Sequence, residues 1–504
     1  MGKKLVLNTS ASLLNQIITA ICGLILPRLI LSNYGSETYG LLSSITQFLG
    51  LIAFVDLGVG AVTQSAMYKP LAKKDDYELS KIMISSSKYY KNIAKIFIIY
   101  ICLLIIFYPL LLNKSFDFVF TSSLILIISI SSFFEYYFGI ANQQLLNADQ
   151  KSYVYLNIKN VTQILNTIFC VIIIKFGLPI HFVKLITSII FLIRPLYLYY
   201  YVNKNYNINY NITLTEEPIK QKWNGLAQHI TAVVNDKTDI IILTLFSSLR
   251  NVSIYSVYYL VVNNLHSLVV SSTIGVQSIL GNLYAIDEKE KLCNFFDKIE
   301  IINHFFITML FCVCGIMVIP FVRIYTRNIN DANYINVPFA IILTLAYAVY
   351  CLRNLYYIMI KAAGHYKETQ KSAIIEMLIN IIISSVTVLK FGLIGVAIGT
   401  LVSMIYRTVY LVNYLSREIL NRNIKKFYKN LFVDFLIILI MVILNNFILI
   451  NPHSYFKFFI ILFFEIILNF IISFVINLIF YNKILLKIIN NLKIKLKVKR
   501  KKVK

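Results

Sequence analysis

Acid is scarce in this chain, and so is any arrangement of cysteines suited to a metal. Its 504 residues include 23 Asp and Glu against 48 Lys and Arg. The seven cysteines, Cys22, Cys102, Cys170, Cys293, Cys312, Cys314 and Cys351, fall mostly inside apolar runs. Their one close pair, Cys312 and Cys314, lacks the CxxC spacing of a zinc or redox site. They read as small packing residues, and neither a metal site nor a cofactor is expected. A cleavable leader is missing too: the first apolar run, Ser12 to Leu31, already has spanning length and is expected to stay in the membrane.

Hydrophobic residues, by contrast, make up 58% of the chain, mean hydropathy is +0.72, and apolar runs of about twenty residues recur from end to end. The chain reads as an all-α polytopic membrane protein. Fourteen spans are expected, at about 11–31, 40–62, 93–112, 118–140, 153–174, 180–201, 226–247, 252–276, 301–322, 338–360, 373–389, 392–414, 431–450 and 456–480. With both termini cytoplasmic, the inward segments hold roughly 33 Lys and Arg and the outward loops about six, which fixes the orientation. A net charge of +25 in a soluble protein would suggest nucleic acid as a partner. Here topology accounts for most of it, and no nucleic acid is expected. The basic tail reads as a solvated, positive-inside terminus that is also compatible with anionic inner-leaflet lipid.

The longest outward loop, Arg323 to Val337, has about fifteen residues, so no external domain is expected to carry catalysis. The adjacent aspartates Asp75 and Asp76 fall in a basic inward segment, and no catalytic residue is assigned.

The chain also repeats itself. Ala148 to Lys151, a helix, Lys175-Phe-Gly-Leu178, a second helix and Arg194-Pro-Leu-Tyr197 recur as Ala363 to Lys367, a helix, Lys390-Phe-Gly-Leu393, a helix and Arg407-Thr-Val-Tyr410. A constant offset across six spans makes the first twelve helices two copies in the same orientation. Such parallel repeats surround a cleft opened to alternate sides of the membrane, which points to a transporter. The expected organisation is an N-terminal six-helix lobe over 1–201, a cytoplasmic linker over 202–225, a C-terminal six-helix lobe over 226–414, two additional helices over 415–482 and a basic cytoplasmic tail over 483–504.

Charges at membrane depth mark function because each costs a few kcal/mol unless it meets water or a partner. The set is led by Arg28, Arg194, Lys237, Arg353 and Arg407 as candidate substrate-binding cations, with Lys159 and His266 as weaker members. Arg28 follows Pro27, where a bend can aim it into a cavity, or it snorkels to the nearby outer interface. Arg194 and Arg407 hold matching repeat positions, with the same two readings open. Arg353 sits deeper. Asp236, Lys237 and Asp239 interrupt the apolar stretch His229 to Phe246, where the aspartates share a helix face, so this segment is expected to line the cleft. Asp56, in a glycine-rich stretch, joins Asp236 and Asp239 as a coupling-ion or gating candidate. A buried ion pair remains the alternative for each. Glu135, Glu376 and Asp434 are expected at helix ends in the interface, and Glu465 deeper in the additional pair.

The stretches ILPRLILSNYGSETYGLLSSITQFLGLIAFVDLGVGAVTQ and NDKTDIIILTLFSSLRNVSIYSVYYLV resemble the Wzx-type oligosaccharide flippases of the polysaccharide transporter family. These share a superfamily with the multidrug and toxin extrusion transporters and the lipid II flippases. The resemblance implies a V-shaped pair of six-helix lobes in a bacterial inner membrane, moving an undecaprenyl-diphosphate-linked oligosaccharide to the outer leaflet by alternating access. It further implies a cavity in which Arg28, Lys237, Arg353, Arg194 and Arg407 meet the diphosphate. Polysaccharide polymerase and other assembly proteins are the implied partners. Coupling to a proton gradient, a sodium gradient or the membrane potential stays open. A multidrug exporter and a lipid II flippase are the alternatives within the superfamily, and a polymerase is the alternative outside it.

Overall fold

A computed structural model describes residues 2–56, 59–112, 115–214, 226–286, 288–446 and 452–501. Residues 215–225 of the expected linker and 502–504 of the tail lie outside the described residues. The elements are α1 (Gly2–Gly50), α2 (Ala53–Asp56), α3 (Val59–Lys73), α4 (Asp76–Leu111), α5 (Phe118–Phe134), a π-helical segment (Glu135–Gly139), α6 (Ile140–Ala148), α7 (Ser152–Lys175), α8 (Ile180–Asn205), α9 (Leu226–Phe246), α10 (Leu249–Ala285), α11 (Lys289–Tyr325), α12 (Val337–Ala362), α13 (Gln370–Phe391), α14 (Leu393–Tyr414), a π turn (Leu415–Ile419), α15 (Lys425–Asn446) and α16 (Tyr455–Lys501). Among the described residues there is no strand.

Twelve of these stretches are long and apolar enough to cross a membrane. The expected total of fourteen is recovered from two further observations. Helix α1 bends at Gly35, whose φ of 82° and ψ of 170° belong to a region essentially restricted to glycine, so one long element holds two spans. Helix α9 forms as expected, but Asp236, Lys237 and Asp239 make it too charged to count as an apolar span. The second span is itself broken into the end of α1, α2 and α3. The fourth continues through the π segment, whose extra residue per turn leaves no mark in an apolar pattern.

The repeat is visible in the backbone. Gln150 (φ 57°) and Gly364 (φ 79°), 214 positions apart, make left-handed turns before α7 and α13. Gly177 (φ 70°) and Gly392 (φ 53°), 215 apart, make them after the same two helices.

The chain divides into two compact units. The first holds residues 1–260, 328–332 and 384–396. In it α1 lies along α7 in the same direction, and a ladder of polar contacts joins them: Asn8 to Gln150 and Tyr153, Asn15 to Asn160 at 2.6 Å, and Thr19 to Gln163 at 3.1 Å. Amide and hydroxyl bonds of this kind replace the hydrophobic effect, which does little between helices in lipid. Helix α9 also belongs to this unit. Ser44 and Thr244 share a hydrogen bond of 2.7 Å, to which Tyr108 donates a second, and His229 contacts the carbonyl of Ala53 at 3.0 Å.

The second unit comprises residues 261–327, 333–383 and 397–504. Its core packs Phe296, Tyr356, Leu411, Leu415 and Phe427 together, so that α11, α12, α14 and α15 share one apolar centre. The additional helices α15 and α16 both pack on α11.

Asp149, in the turn between α6 and α7, anchors the basic end of the first unit. It meets Lys4 at 3.0 Å and Lys151 at 2.7 Å, and accepts from the Tyr206 hydroxyl at 2.6 Å. Burial alone would raise its carboxyl, but the hydrogen bonds from Lys151, Tyr206 and Lys4 outweigh burial and leave it below the ordinary value. A carboxylate lowered by folding stabilises the fold above the unfolded value of about 4, and that contribution is lost as pH falls through the folded value. Asp149→Asn should therefore cost about 1 kcal/mol near neutrality, read as a lower thermal midpoint in detergent, and the difference from wild type should vanish in acid. A gap of constant size from pH 7 down to pH 3 would contradict this.

Candidate functional site

The first unit holds a half-open cavity of about 530 Å³ between α1, α7 and α8, with α9 and α10 contributing Ile240, Ser256 and Tyr259. Pro27 lines it where it removes a backbone donor from α1. Most of its surface is apolar, interrupted by amides and hydroxyls that include Gln47, Gln163, Asn166 and Thr187. Its charged member is Lys184, near the start of α8, within electrostatic reach of Cys170. Sequence reasoning passed over Lys184 because a lysine one turn into a helix looks interfacial. Nothing in the sequence shows that this turn packs inward.

Arg28 is half-buried in α1 directly after the cavity-lining Pro27. Arg194 stacks on the ring of Phe191, another lining residue, at 3.8 Å, and its Nε donates to Thr162 Oγ1 at 2.6 Å. Glu135 and Lys159 lie within electrostatic reach of it. This gives two cations for one acid, held by α7, α8 and the π segment.

On α9 the three charges separate. Asp239 is buried and accepts from Tyr255 at 2.7 Å, Asp236 is exposed, and the Lys237 side chain runs against Gly50, with its Cε 3.1 Å from where a Cβ would stand. Asp56 ends α2. Tyr89 donates to its carbonyl at 3.2 Å, and its carboxylate neighbours Tyr90 and His229. Asp56 and α9 are thus close within this unit.

In the second unit Arg353 and Arg407 come together on Glu376. Arg353 Nη1 lies 2.5 Å from Glu376 Oε1, and Arg407 Nε lies 3.5 Å from Oε2. Arg407 also donates to the Thr369 carbonyl at 2.9 Å and to Ser372. Arg353 sits over the Tyr350 ring at 4.3 Å, and His266 stacks on that ring at 4.4 Å. All three charged groups are buried, with Glu376 only 2% exposed. Glu376 does lie near the start of α13, as expected; what the sequence did not show is that it is buried there. Two turns into α13, it has α12 and α14 on either side, and two guanidiniums draw it inward.

Both units thus hold an arginine of the repeated Arg-x-x-Tyr element beside one acid and a second cation. With this geometry the chain compares closely with known structures.

The fold is that of the lipid II flippase and the MATE transporters. A structure of the lipid II flippase MurJ in an inward closed conformation aligns with a TM-score of 0.71 at 18% identity, covering 95% of this chain and 100% of that one. An inward-facing multidrug resistance MATE family transporter of the MOP superfamily aligns at 0.64 and 14% identity, covering 79% of this chain and 95% of that one. A MATE structure in the bent conformation aligns at 0.55 and 14%, covering 81% and 94%. No protein-family model matches the sequence, and no curated protein matches it. The 5% of this chain that MurJ leaves uncovered is about 25 of 504 residues, too few to contain both α15 and α16. The likeness to MurJ therefore extends into the additional pair. Beside that pair, an apolar cavity of about 190 Å³ opens between α11 and α16, lined by Ile301, Phe305, Phe470 and Phe474.

Proposed function

We propose that this protein is a flippase that carries a polyprenyl-diphosphate-linked oligosaccharide from the inner to the outer leaflet of a bacterial cell membrane by alternating access. The reading rests chiefly on the first-unit cavity, whose largely apolar wall carries a set of amides and hydroxyls and whose charged residue is a lysine. A sugar chain needs many weak donors and acceptors, and a diphosphate crossing a low dielectric needs cations. Arg28 beside Pro27, and the Arg194 and Arg353–Arg407 clusters with two cations per acid, supply further positive charge within the spans. Lys237 adds another cation on α9, and Asp56, Asp236 and Asp239 are candidates for coupling or gating. A multidrug exporter of organic cations would call for an acidic cavity, which this lining does not offer. The likeness to MurJ over 95% of the chain agrees with a lipid-linked substrate, and a polysaccharide polymerase and other assembly proteins are the natural partners.

The test is leaflet-resolved. The protein is reconstituted in proteoliposomes with a short lipid-diphosphate oligosaccharide, and exposure is followed with an external lectin or glycosidase. Lys184→Ala should slow exposure about tenfold or more, the scale of one charge-assisted hydrogen bond lost from a desolvated site, while Lys184→Arg keeps most of the rate. Equal rates for all three proteins would remove the cavity from the pathway. No protein-dependent exposure under any imposed gradient would count against the function itself.

A further inference from the structure

One face of α11 carries Asp297, Glu300, His304 and Thr308 at steps of three and four residues, a stripe about 16 Å long. It begins at the basic end of the second unit and runs inward. At its open end Asp297 is met by Lys426 at 2.5 Å and by Arg422 at 2.7 Å. Arg422 then reaches Glu300 with two bonds, Nη1 to Oε2 at 2.5 Å and Nη2 to Oε1 at 3.0 Å, and Tyr356 of α12 donates to the same carboxylate. One turn deeper, His304 Nδ1 lies 2.5 Å from Asp434 Oδ2 of α15, and Thr308 donates to Asp434 Oδ1 at 2.7 Å. The Phe427 ring covers the imidazole edge-on at 5.6 Å. Tyr481 of α16 lies within electrostatic reach of both carboxylates while its hydroxyl bonds Asn430.

The charges in this stripe do not balance by themselves. Glu300 is paired with Arg422, both almost fully buried, and the more exposed Asp297 is paired with Lys426. That leaves Asp434, whose side chain is 10% exposed, facing an imidazole that is 4% exposed. An isolated carboxylate held out of water is costly, and the partner within reach is cationic only when it carries a second proton. Nε2 of His304 is buried with no hydrogen-bond partner among the described residues, and Glu300 is the charge it senses besides Asp434 and Arg422.

We propose that His304 and Asp434, with Glu300 one turn away, form a buried proton-binding site that loads and unloads one proton in the folded protein. Loading moves a proton from water to His304 Nε2. The imidazole becomes imidazolium, Nδ1–H donates to Asp434, and no other bond changes. The site joins a helix of the second repeat to the first of the two additional helices, so α15 holds the group through which pH acts on this unit.

The test needs no transported substrate. The full-length chain, with His181, His229, His266, His365 and His453 replaced by Gln, leaves His304 as its single histidine. It is labelled with 15N-histidine, placed in nanodiscs and titrated by NMR between pH 5 and pH 9. The expected result is a reversible change of the Nε2 resonance between its bare and protonated positions within that range. Asp434→Asn should weaken proton binding about tenfold or more, the scale of one lost ion-pair partner away from water. Thr308→Val, which removes only one bond to the carboxylate, should move the midpoint while keeping the fold. An imidazole in one protonation state across the whole range, or a midpoint that neither variant moves, would make the pair a fixed strut and overturn the proposal.

Discussion

Glu376→Gln is expected to remove most of the folded protein from the membrane. The carboxylate is shared, with Oε1 held 2.5 Å from Arg353 and Oε2 3.5 Å from Arg407, and all three side chains are less than a tenth exposed. An amide keeps the shape but not the charge, leaving two guanidiniums buried with no acid between them. Arginine does not escape by losing its proton as lysine can. Breaking a buried pair by removing one partner costs about 3–5 kcal/mol, against a total stability of about 5–15 kcal/mol. Arg353→Ala is milder, because Glu376 keeps Arg407 and the remaining pair is neutral. Thermal midpoints in detergent and fluorescence-detected size exclusion should rank wild type above Arg353→Ala and Arg353→Ala well above Glu376→Gln. If the cluster's excess positive charge also serves an anionic substrate, Arg353→Ala should lose transport out of proportion to its loss of folded protein. Wild-type stability in Glu376→Gln would mean that the two arginines find charge elsewhere, and the triad as described would be wrong.

Much of the fold is written in the chain because membranes reward a simple code. A run of about twenty apolar residues is a span wherever it lies, so the fourteen helices and their repeat could be read without knowing any contact. The same code hides rotation. Apolar residues surround a membrane helix on every side, so periodicity does not tell which face of α13 meets α12 and α14, and Glu376 looked like an interfacial acid. Lys184 was hidden for the same reason. Arg353 and Arg407 stood out by their charge, but the acid binding them together lies on a third helix. The bend at Gly35, by contrast, was legible: it falls in the polar stretch Ser32 to Tyr39 between the first two expected spans. His304 and Asp434 are 130 positions apart and only the packing of α15 on α11 unites them.

Gly40→Ala is expected to unseat the arm of α1 after the Gly35 bend from the start of α10. A Cβ at Gly40 would overlap the carbonyl oxygen of Leu249 and stand 2.8 Å from its carbon, so the obstacle is backbone that has no rotamer to give. Around this point the first unit is closely tied. The amide and hydroxyl of Ser36 both donate to Asp331 at 2.6 Å, Glu37 pairs with Arg250 at 2.9 Å, and Ser44 bonds Thr244. Gly35 turns the chain so that Ser36 presents both donors to one carboxylate. A methyl group at position 40 pushes the two backbones apart and loosens these bonds together. Overpacking of this kind costs about 1–3 kcal/mol, which is about 5- to 150-fold in the population of the closed contact. The helices remain apolar and inserted, so abundance should hold while the contact is lost. Oxidative cross-linking of a Glu37→Cys/Arg250→Cys pair reads the contact directly. It should form readily in the otherwise wild-type chain and fall sharply when Gly40→Ala is added. If the flipping proposed above passes through this closed contact, lipid-diphosphate exposure in proteoliposomes should fall by a similar factor. Full cross-linking with full transport in the Gly40→Ala background would show that α1 and α10 stand farther apart than this structure places them.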